Sequence, residues 1–363
     1  MLTIARKMAL LKVALLTLLT TAVYAQAGVR LLGRVNPSTK ELTWPGTGVA
    51  FTFTGTTANI GITSITGLNS VDLFVDGNPA IDIASVSGKS IAIPKLAHGT
   101  HTVVLRKRSE TSFGTIFLGA VTTDGRLVNT PARKHQIEIV GDSITVGYGL
   151  DGVNPCTNTA ALEDNPLTYS TLAASSLNAD YNVIAWSGKG VIRNYVQTTP
   201  DTSPIMPELY TRYGANDADN SYTFPSSWNP QAVVVNLGTN DFSYVGTNSS
   251  GQQYAIRPPL NATTYTTAMV SFVKSIQKHY PKADYFLVGS PNLSDSYPTT
   301  ADAQHTTEAN ALKAAVAQIG AKAHFVDWPT QGSEVGCDYH PNAATNAAEA
   351  KVLAAAIKAV LGW

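Results

Sequence analysis

The spacing of hydrophobic residues in this chain changes near residue 134 and divides the sequence into two regions. From residue 28 to about residue 130, apolar residues alternate with polar ones, as they do at Val49, Phe51 and Phe53. Alternation with a period of two is typical of half-buried strands. The chain has 363 residues, which is enough for two packed cores. Residues 28–130 are therefore predicted to form an all-β domain, a small antiparallel sandwich or jelly roll.

Beyond residue 134 the pattern becomes one of short apolar runs separated by segments with a helical period. The predicted strands are 137–140, 183–186, 233–237, 286–288 and 324–327, and the predicted helices are 168–177, 263–279, 303–319 and 344–361. Strands that alternate with helices indicate a parallel sheet covered by helices on both faces. Residues 135–363 are therefore predicted to form an α/β domain, which follows a linker at 129–135.

A long polar segment at 198–229 interrupts this alternation of strands and helices. It is rich in proline and has no clear helical or strand period, so it is predicted to be irregular. It could form a wall of a substrate cleft, or it could be a surface excursion without a role. The sequence leaves both interpretations open.

The first 27 residues have the composition of a secretory signal peptide. Arg6 and Lys7 precede an apolar stretch at 8–23, and small residues follow at Ala25 and Ala27. The stretch is shorter than the roughly 20 residues of a membrane span, and polar sequence follows it. We therefore expect cleavage near Ala25 or Ala27 and release of an exported, soluble protein with no membrane contact. A retained membrane anchor is the alternative.

Charged residues make up only 14% of the chain, and the formal net charge is zero. The longest basic run is Arg106, Lys107 and Arg108. Binding to nucleic acid depends on neutralising many phosphates, so this composition does not predict a nucleic-acid partner.

Two cysteines, Cys156 and Cys337, remain in the predicted exported chain. An oxidising compartment permits them to form a disulfide. Such a bond would tie a loop near residue 156 to one near residue 337. Two free, buried thiols are the alternative.

Four short segments contain residues suited to one kind of chemistry. They are G-D-S-I at 141–144, S-G at 187–188, G-T-N-D at 238–241 and D-Y-H-P at 338–341. Each is expected at the end of a strand or in a loop, and ligands of parallel sheets bind at the carboxyl ends of the strands. The four segments are therefore predicted to form one active site.

The side chains in these segments are those that acyl transfer needs. A serine hydroxyl becomes a nucleophile when a base removes its proton, and His340 is the predicted base for Ser143. Negative charge on the attacked carbonyl oxygen needs donors, and the candidates are the N–H groups of Ser143 and Gly188 and the side-chain amide of Asn240. Taken singly, Gly188 could be a plain turn residue and Asn240 a loop cap. Activity is expected to rise with pH through about 6 to 7 as His340 becomes neutral.

These segments resemble the sequence blocks of the SGNH (GDSL) hydrolase superfamily. The β-rich N-terminal region, the longer G-D-S-I-T-V-G-Y-G run and G-C-D-Y-H-P-N also resemble carbohydrate esterase family 2. The resemblance implies a flavodoxin-like, three-layer parallel-sheet domain preceded by an all-β jelly-roll domain. It also implies a secreted serine esterase that works without a cofactor and acts as a monomer. The implied reaction removes acetyl groups from plant cell-wall polysaccharides such as xylan and glucomannan, with a preference for 6-O positions.

Carried over to this sequence, the resemblance implies that Ser143 is the nucleophile, His340 the base, and Gly188 and Asn240 the oxyanion donors. The acid departs from the pattern of the superfamily. Most members have an aspartate three residues before the histidine, but Cys337 stands there and Asp338 lies two residues before. The imidazole is therefore expected to be oriented by Asp338 or by a main-chain carbonyl.

Two other functions use the same sequence features. A lipase-like or thioester-cleaving SGNH enzyme would use the same residues on a longer acyl chain. A carbohydrate-binding protein would use the β-domain and leave the hydrolase domain idle. Aromatic residues near the motifs could stack on sugar rings or belong to the core; they are Tyr148, Trp186, Tyr195, Trp228 and Trp328.

Overall fold

The computed structural model describes residues 26–196 and 198–363. Apart from its last two residues, the predicted signal peptide lies outside the described residues. Among the helices of the described part, none combines the length and the apolar character needed to cross a membrane.

Between residues 26 and 134 the described chain forms strands joined by turns. The strands are β1 Val29–Leu32, β2 Glu41–Leu42, β3 Gly48–Gly55, β4 Ala58–Gly67, β5 Val71–Val75, β6 Ile81–Ile83, β7 Ser90–Ala92, β8 Gly99–Lys107, β9 Gly114–Thr123 and β10 Arg126–Val128. Strands β1, β3, β5, β6, β8 and β10 form one sheet, and β2, β4, β7 and β9 form the other. Every pairing within the two sheets is antiparallel.

The two sheets share one hydrophobic core, which the alternation in the sequence explains. On β3, the side chains of Val49, Phe51 and Phe53 are buried. They belong to the same cluster as Ile60 and Leu118, which come from the other sheet. Successive side chains of a strand point to opposite faces, so every second residue can enter this core. The prediction of a β-rich N-terminal domain is confirmed, whereas the jelly-roll topology and the domain boundaries stay predictions.

The second region contains a five-stranded sheet in which all strands run parallel. Its strands are β11 His135–Gly141, β12 Ala179–Ala185, β13 Ala232–Asn236, β16 Asp284–Val288 and β17 Ala323–Val326, and a separate hairpin consists of β14 Val245–Thr247 and β15 Gln253–Ala255. In space the order is β12, β11, β13, β16, β17. This is the strand order of flavodoxin-like sheets. Such sheets bind ligands at the topological switch point, where successive strands begin to be added on the opposite side of the first one. Here that point lies between the carboxyl ends of β11 and β13.

Helices cover both faces of this sheet. They are α1 Ser143–Val146, α2 Tyr169–Ser176, α3 Met206–Leu209, α4 Thr239–Phe242, α5 Ala262–Gln277, α6 Gln304–Ile319 and α7 Ala343–Leu361. Val233 and Val235 of β13 pack in the cluster that contains α5 and α6, while Val234 packs in the cluster that contains α2 and α7. A strand buried on both faces is apolar throughout, which is why no alternation marks it in the sequence. The predicted α/β domain with a parallel sheet is confirmed.

The segment 198–229 forms part of the contact between the two domains. Arg34 of the N-terminal domain lies over the rings of Tyr210 and Tyr222. Its guanidinium also pairs with Glu138 of β11 at 2.6 Å, and neither side chain is exposed to solvent. Removing one member of such a pair leaves an uncompensated buried charge. Tyr210 and Tyr222 thus pack against a buried side chain of the N-terminal domain, and this part of the segment contributes to the contact between the domains.

Residues near the start of the same segment lie next to the predicted active site. The ammonium group of Lys189 lies 3.2 Å from the carboxylate of Asp201 and contacts the hydroxyl of Ser203. Lys189 follows Gly188 directly. The beginning of the segment therefore lies beside the turn that carries Gly188, and its role as a cleft wall stays a prediction. Residues farther along contact the N-terminal domain.

Candidate active site

The predicted site residues lie at the carboxyl edge of the parallel sheet. Ser143 follows β11 and Asn240 follows β13, so they lie on either side of the topological switch point. Gly188 follows β12, and His340 lies in the loop before α7. Because parallel strands end at the same edge, positions far apart in sequence meet here.

The hydroxyl of Ser143 lies 2.9 Å from Nε2 of His340, although 197 positions separate the two residues. The other ring nitrogen, Nδ1, lies 3.1 Å from the main-chain oxygen of Asp338. A carbonyl oxygen accepts a hydrogen bond and cannot donate one, so Nδ1 carries the proton. Nε2 is then free to accept the proton of Ser143. This is the tautomer that a base for a serine nucleophile requires.

The turn around Ser143 is held by its neighbours. The carboxylate of Asp142 caps α1 by accepting a hydrogen bond from the N–H of Ile144 at 3.1 Å. Gly141 has no room for a side chain, because a Cβ atom there would lie 2.0 Å from the hydroxyl oxygen of Thr145. The chain can therefore pass closely from β11 into α1 and present Ser143 at the edge of the sheet.

The carboxylate of Asp338 does not point to His340. It accepts a hydrogen bond of 2.9 Å from the hydroxyl of Tyr148, whose ring centre lies 4.3 Å from that of the imidazole. Asp338 and Tyr339 have φ angles of 50° and 63°, which are rare for residues other than glycine. This conformation directs the carbonyl of Asp338 towards Nδ1. The sequence left open whether the carboxylate or a main-chain carbonyl orients the imidazole. In the structure, the main-chain carbonyl of Asp338 is the group that contacts Nδ1.

A disulfide joins Cys156 to Cys337, which are 181 positions apart, and the predicted pairing is confirmed. Cys337 also donates its N–H to the oxygen of Gly149 at 3.0 Å. Both contacts hold the residue that precedes Asp338. The loop that carries His340 is therefore attached to the loop that follows α1.

Gly188 lies in a tight turn. The N–H of Lys189 donates to the oxygen of Trp186 at 3.3 Å, and Gly188 between them has a φ angle of 79°. A positive φ at the third position is what a type II turn requires, and glycine adopts it without strain. Within the described residues, the N–H of Gly188 has no acceptor. It is therefore available to a substrate oxygen.

The side-chain amide of Asn240 is buried and already donates twice. Its nitrogen lies 3.1 Å from the carboxylate of Asp142 and 2.9 Å from the main-chain oxygen of Lys189. An amide nitrogen has two hydrogens. A substrate oxygen would therefore share or replace one of these bonds, and the bond to Asp142, which lies beside Ser143, is the longer one.

Burial shifts the pKa values of two groups in the site. It lowers the pKa of His340 to about 4, against the opposing effect of the carbonyl of Asp338. It raises the pKa of Asp142 to about 7, against the hydrogen bond from Ile144. Burial disfavours the charged form of each group. His340 is therefore neutral, and able to act as a base, at any pH well above 4.

The aromatic residues proposed as sugar platforms have different surroundings. Trp328 is buried against Tyr169, and the indole nitrogen of Trp228 bonds to Glu138 at 2.7 Å. Both are structural. Tyr195 is 49% exposed, and partial burial, together with the nearby Tyr297 and Asp338, raises its pKa. It is thus an exposed ring beside the site.

Two further exposed tyrosines, Tyr339 and Tyr297, were not among the aromatic residues predicted from the sequence. Tyr339 directly precedes His340 and is 70% exposed, and Tyr297 is 53% exposed. The position of Tyr339 inside D-Y-H-P was a signal that could have identified it. Tyr297 lies in a loop with no motif, so its proximity to Tyr195 depends on the fold.

Two family models match this chain in succession. Residues 31–131 match the model described as carbohydrate esterase 2 N-terminal, and residues 139–348 match the GDSL-like lipase/acylhydrolase family. An acetylxylan esterase / glucomannan deacetylase of Cellvibrio japonicus is 33% identical over 283 residues, which cover 76% of this chain and 74% of that protein.

A longer relative and a solved structure agree with these matches. The cellulase/esterase CelE of Acetivibrio thermocellus is 32% identical over 90% of this chain, and the match spans 38% of that protein. A crystal structure of a family 2 carbohydrate esterase with a carbohydrate-binding domain, from Corynascus thermopiles (Myceliophthora fergusii), is 66% identical. It covers 92% of this chain and 100% of that chain, with a TM-score of 0.88.

Proposed function

Because this chain belongs to carbohydrate esterase family 2, whose members are carboxylic ester hydrolases, we propose that it removes acetyl groups from plant cell-wall polysaccharides. Acetylated xylan and glucomannan are the proposed substrates, and the 6-O position is the proposed site. The observation that carries the proposal is the distance of 2.9 Å between Ser143 Oγ and His340 Nε2. The catalytic roles given below are part of the same proposal.

The proposed reaction is acyl transfer in two steps. Nε2 of His340 takes the proton of Ser143 as Oγ attacks the acetyl carbonyl, and it then gives that proton to the departing sugar oxygen. The product is an acetyl-enzyme on Ser143. Water then attacks this ester, His340 again takes and returns a proton, and acetate leaves.

The charge that develops on the carbonyl oxygen needs donors that are already in place. The N–H of Gly188, which has no acceptor among the described residues, supports this role. The amide of Asn240 supports it if its bond to Asp142 is exchanged for one to the substrate. Tyr195 and Tyr339 expose rings beside the site, and aromatic rings can cover the apolar face of a sugar.

We propose that the mature protein is exported and acts as a monomer. The signal-like composition of residues 1–27 supports export. Mass spectrometry of the protein from culture medium would find a new N-terminus near Ala25 or Ala27. A product that keeps residues 1–27 would contradict this part of the proposal.

Acetate release from acetylated xylan, acetylated glucomannan and 6-O-acetyl glucose would test the function. We expect release from these substrates and slow hydrolysis of matched esters with acyl chains of eight or more carbons. Preference for the long chains would favour the lipase-like function. Binding of the polysaccharides with no acetate release would favour a carbohydrate-binding protein.

The dependence of activity on pH tests the state of His340. Its neutral form is the active one, and burial lowers its pKa to about 4. We therefore expect kcat/KM for an uncharged acetyl ester to stay constant from pH 8 to about 5 and to fall below that as the imidazole gains a proton. Circular dichroism at each pH is the control for unfolding. A fall through pH 6 to 7, which the sequence alone predicted, would mean that the imidazole is solvated.

Substitution of Asp338 tests how the imidazole is oriented. Asp338→Asn keeps the main-chain carbonyl that lies 3.1 Å from Nδ1, and asparagine tolerates the positive φ. We expect kcat to fall by less than about 10-fold, whereas loss of an orienting carboxylate in a serine triad lowers it about 10⁴-fold. Tyr148→Phe is the matched variant, since it removes the other partner of the carboxylate. A loss in kcat near 10⁴-fold in Asp338→Asn, but not in Tyr148→Phe, would show that the carboxylate of Asp338 orients His340.

A further inference from the structure

A carboxylate from the N-terminal domain reaches the turn that carries Gly188. Glu110 follows β8, and its Oε2 accepts a hydrogen bond of 2.8 Å from the N–H of Ser187. Glu110 is only 2% exposed. The bond joins residues 77 positions apart in two different domains. The N-terminal domain thus contacts the residue next to the proposed oxyanion donor.

The direction of the Gly188 N–H depends on the groups on either side of it. It belongs to the central peptide of the turn from Trp186 to Lys189. Type I and type II turns differ mainly by a rotation of this central peptide, and that rotation reverses the direction in which its N–H points. On one side Glu110 holds the N–H of Ser187. On the other, the oxygen of Gly188 accepts a hydrogen bond of 2.7 Å from the N–H of Tyr195.

Glu110 is itself held by several neighbours. Its Oε1 accepts a hydrogen bond of 2.8 Å from the hydroxyl of Ser112, and its N–H donates to Glu163 at 2.5 Å. The ammonium group of Lys107 donates to its main-chain oxygen at 3.0 Å. The charged side chains in this group are all buried. Buried charged groups contribute little net stability even when other groups compensate them, so a gain in stability alone does not account for the carboxylate.

We propose that Glu110 is a positioning residue for the oxyanion hole. Its carboxylate holds the N–H of Ser187 so that the N–H of Gly188 points to the carbonyl oxygen of the bound ester. Glu110 acts through the turn and does not contact the reacting atoms. The proposal rests on the proposed esterase function.

Two conservative variants separate this hydrogen bond from the charge of the side chain. Glu110→Gln keeps the length of the side chain, so its carbonyl can accept from Ser187 and its amide can donate to Ser112. Glu110→Asp keeps the charge but withdraws the carboxylate from Ser187 by one methylene. We expect Glu110→Asp to lower kcat by about 10- to 100-fold with little change in KM, because an oxyanion donor acts on the transition state. Glu110→Gln is expected to stay within about 3-fold of the wild type.

Arg30→Ala is the matched control in the same interdomain contact. Arg30 pairs with Asp180 at 2.5 Å across the domains and does not contact the turn at 186–189. Its kcat is expected to equal that of the wild type. Each kcat is divided by the fraction of folded protein, which circular dichroism measures. A partly unfolded variant can then still be compared with the wild type.

Each result supports or overturns the proposal. A larger loss in Glu110→Gln than in Glu110→Asp would show that the charge matters and the hydrogen bond does not. Equal losses in Glu110→Asp and Arg30→Ala would assign the effect to the interdomain contact. Wild-type kcat in both Glu110 variants would exclude a positioning role. A wild-type protein that releases no acetate would overturn the esterase function itself, which the same assay detects before any variant is compared.

Discussion

Replacing Ser143 by alanine is expected to lower kcat for acetate release by about 10⁴-fold or more. The hydroxyl of Ser143 lies 2.9 Å from Nε2 of His340, and loss of the nucleophile in comparable serine hydrolases has effects of this size. His340→Ala is expected to cause a loss of similar size. The double variant is expected to be no worse than either single one, because the two groups act in the same step.

The control for this experiment is Ser175→Ala. Ser175 is an exposed residue of α2, and its replacement is expected to leave kcat unchanged. Acetate release from 6-O-acetyl glucose would be measured for all variants. Full activity in Ser143→Ala would remove the basis of the proposed mechanism. Unchanged polysaccharide binding in an inactive Ser143→Ala variant would separate binding from catalysis.

Removing the disulfide between Cys156 and Cys337 is expected to lower the free energy of unfolding by about 2 to 5 kcal/mol. The bond closes a loop with a sequence separation of 181 residues, and a long loop gains much conformational freedom in the unfolded chain when it is opened. The variant is Cys156→Ala combined with Cys337→Ala, which leaves no unpaired thiol. Urea unfolding followed by tryptophan fluorescence would give the difference from the wild type.

The same variant tests whether the disulfide also holds His340 in place. Cys337 lies three residues before His340, and it is also bound to Gly149 through its N–H. Because that hydrogen bond remains, kcat under native conditions is expected to fall by less than about 10-fold. A change in unfolding free energy below about 1 kcal/mol would contradict the stabilising role.

The sequence predicted that Ser143 and His340 lie within reach of each other, but it left open which group contacts the other ring nitrogen. Ser143 and His340 could be found because each lies in a motif and each motif follows a strand or fills a loop at the same edge of the sheet. The direction of the Asp338 carboxylate could not be predicted, since it depends on the φ angle of 50° at that residue. Spacing in the sequence shows how near two residues are along the chain and leaves their orientation open.

The five strands of the parallel sheet and the helices α2, α5, α6 and α7 were predicted within a few residues, because each has a clear apolar run or a helical period in the sequence. The short helices α3 and α4 and the hairpin of β14 and β15 were not predicted. Contacts between the domains left no such pattern. Glu110 belongs to a predicted β domain, and its approach to Ser187 depends on how that domain packs on the other. The role of the polar segment at 198–229 could not be predicted either, because its residues Tyr210 and Tyr222 contact Arg34, which lies in the other domain.

The main-chain carbonyl at Nδ1 of His340 affects which alcohols can depart readily. Nδ1 faces this carbonyl and not a carboxylate, and burial of the ring lowers the pKa of His340 to about 4, so the imidazolium gives up its proton readily. It is a weak base towards the serine but a strong acid towards the departing oxygen. Sugar alkoxides need such an acid, whereas aryl oxides leave without one. With this arrangement, the rate is therefore expected to depend only slightly on the basicity of the alcohol that departs.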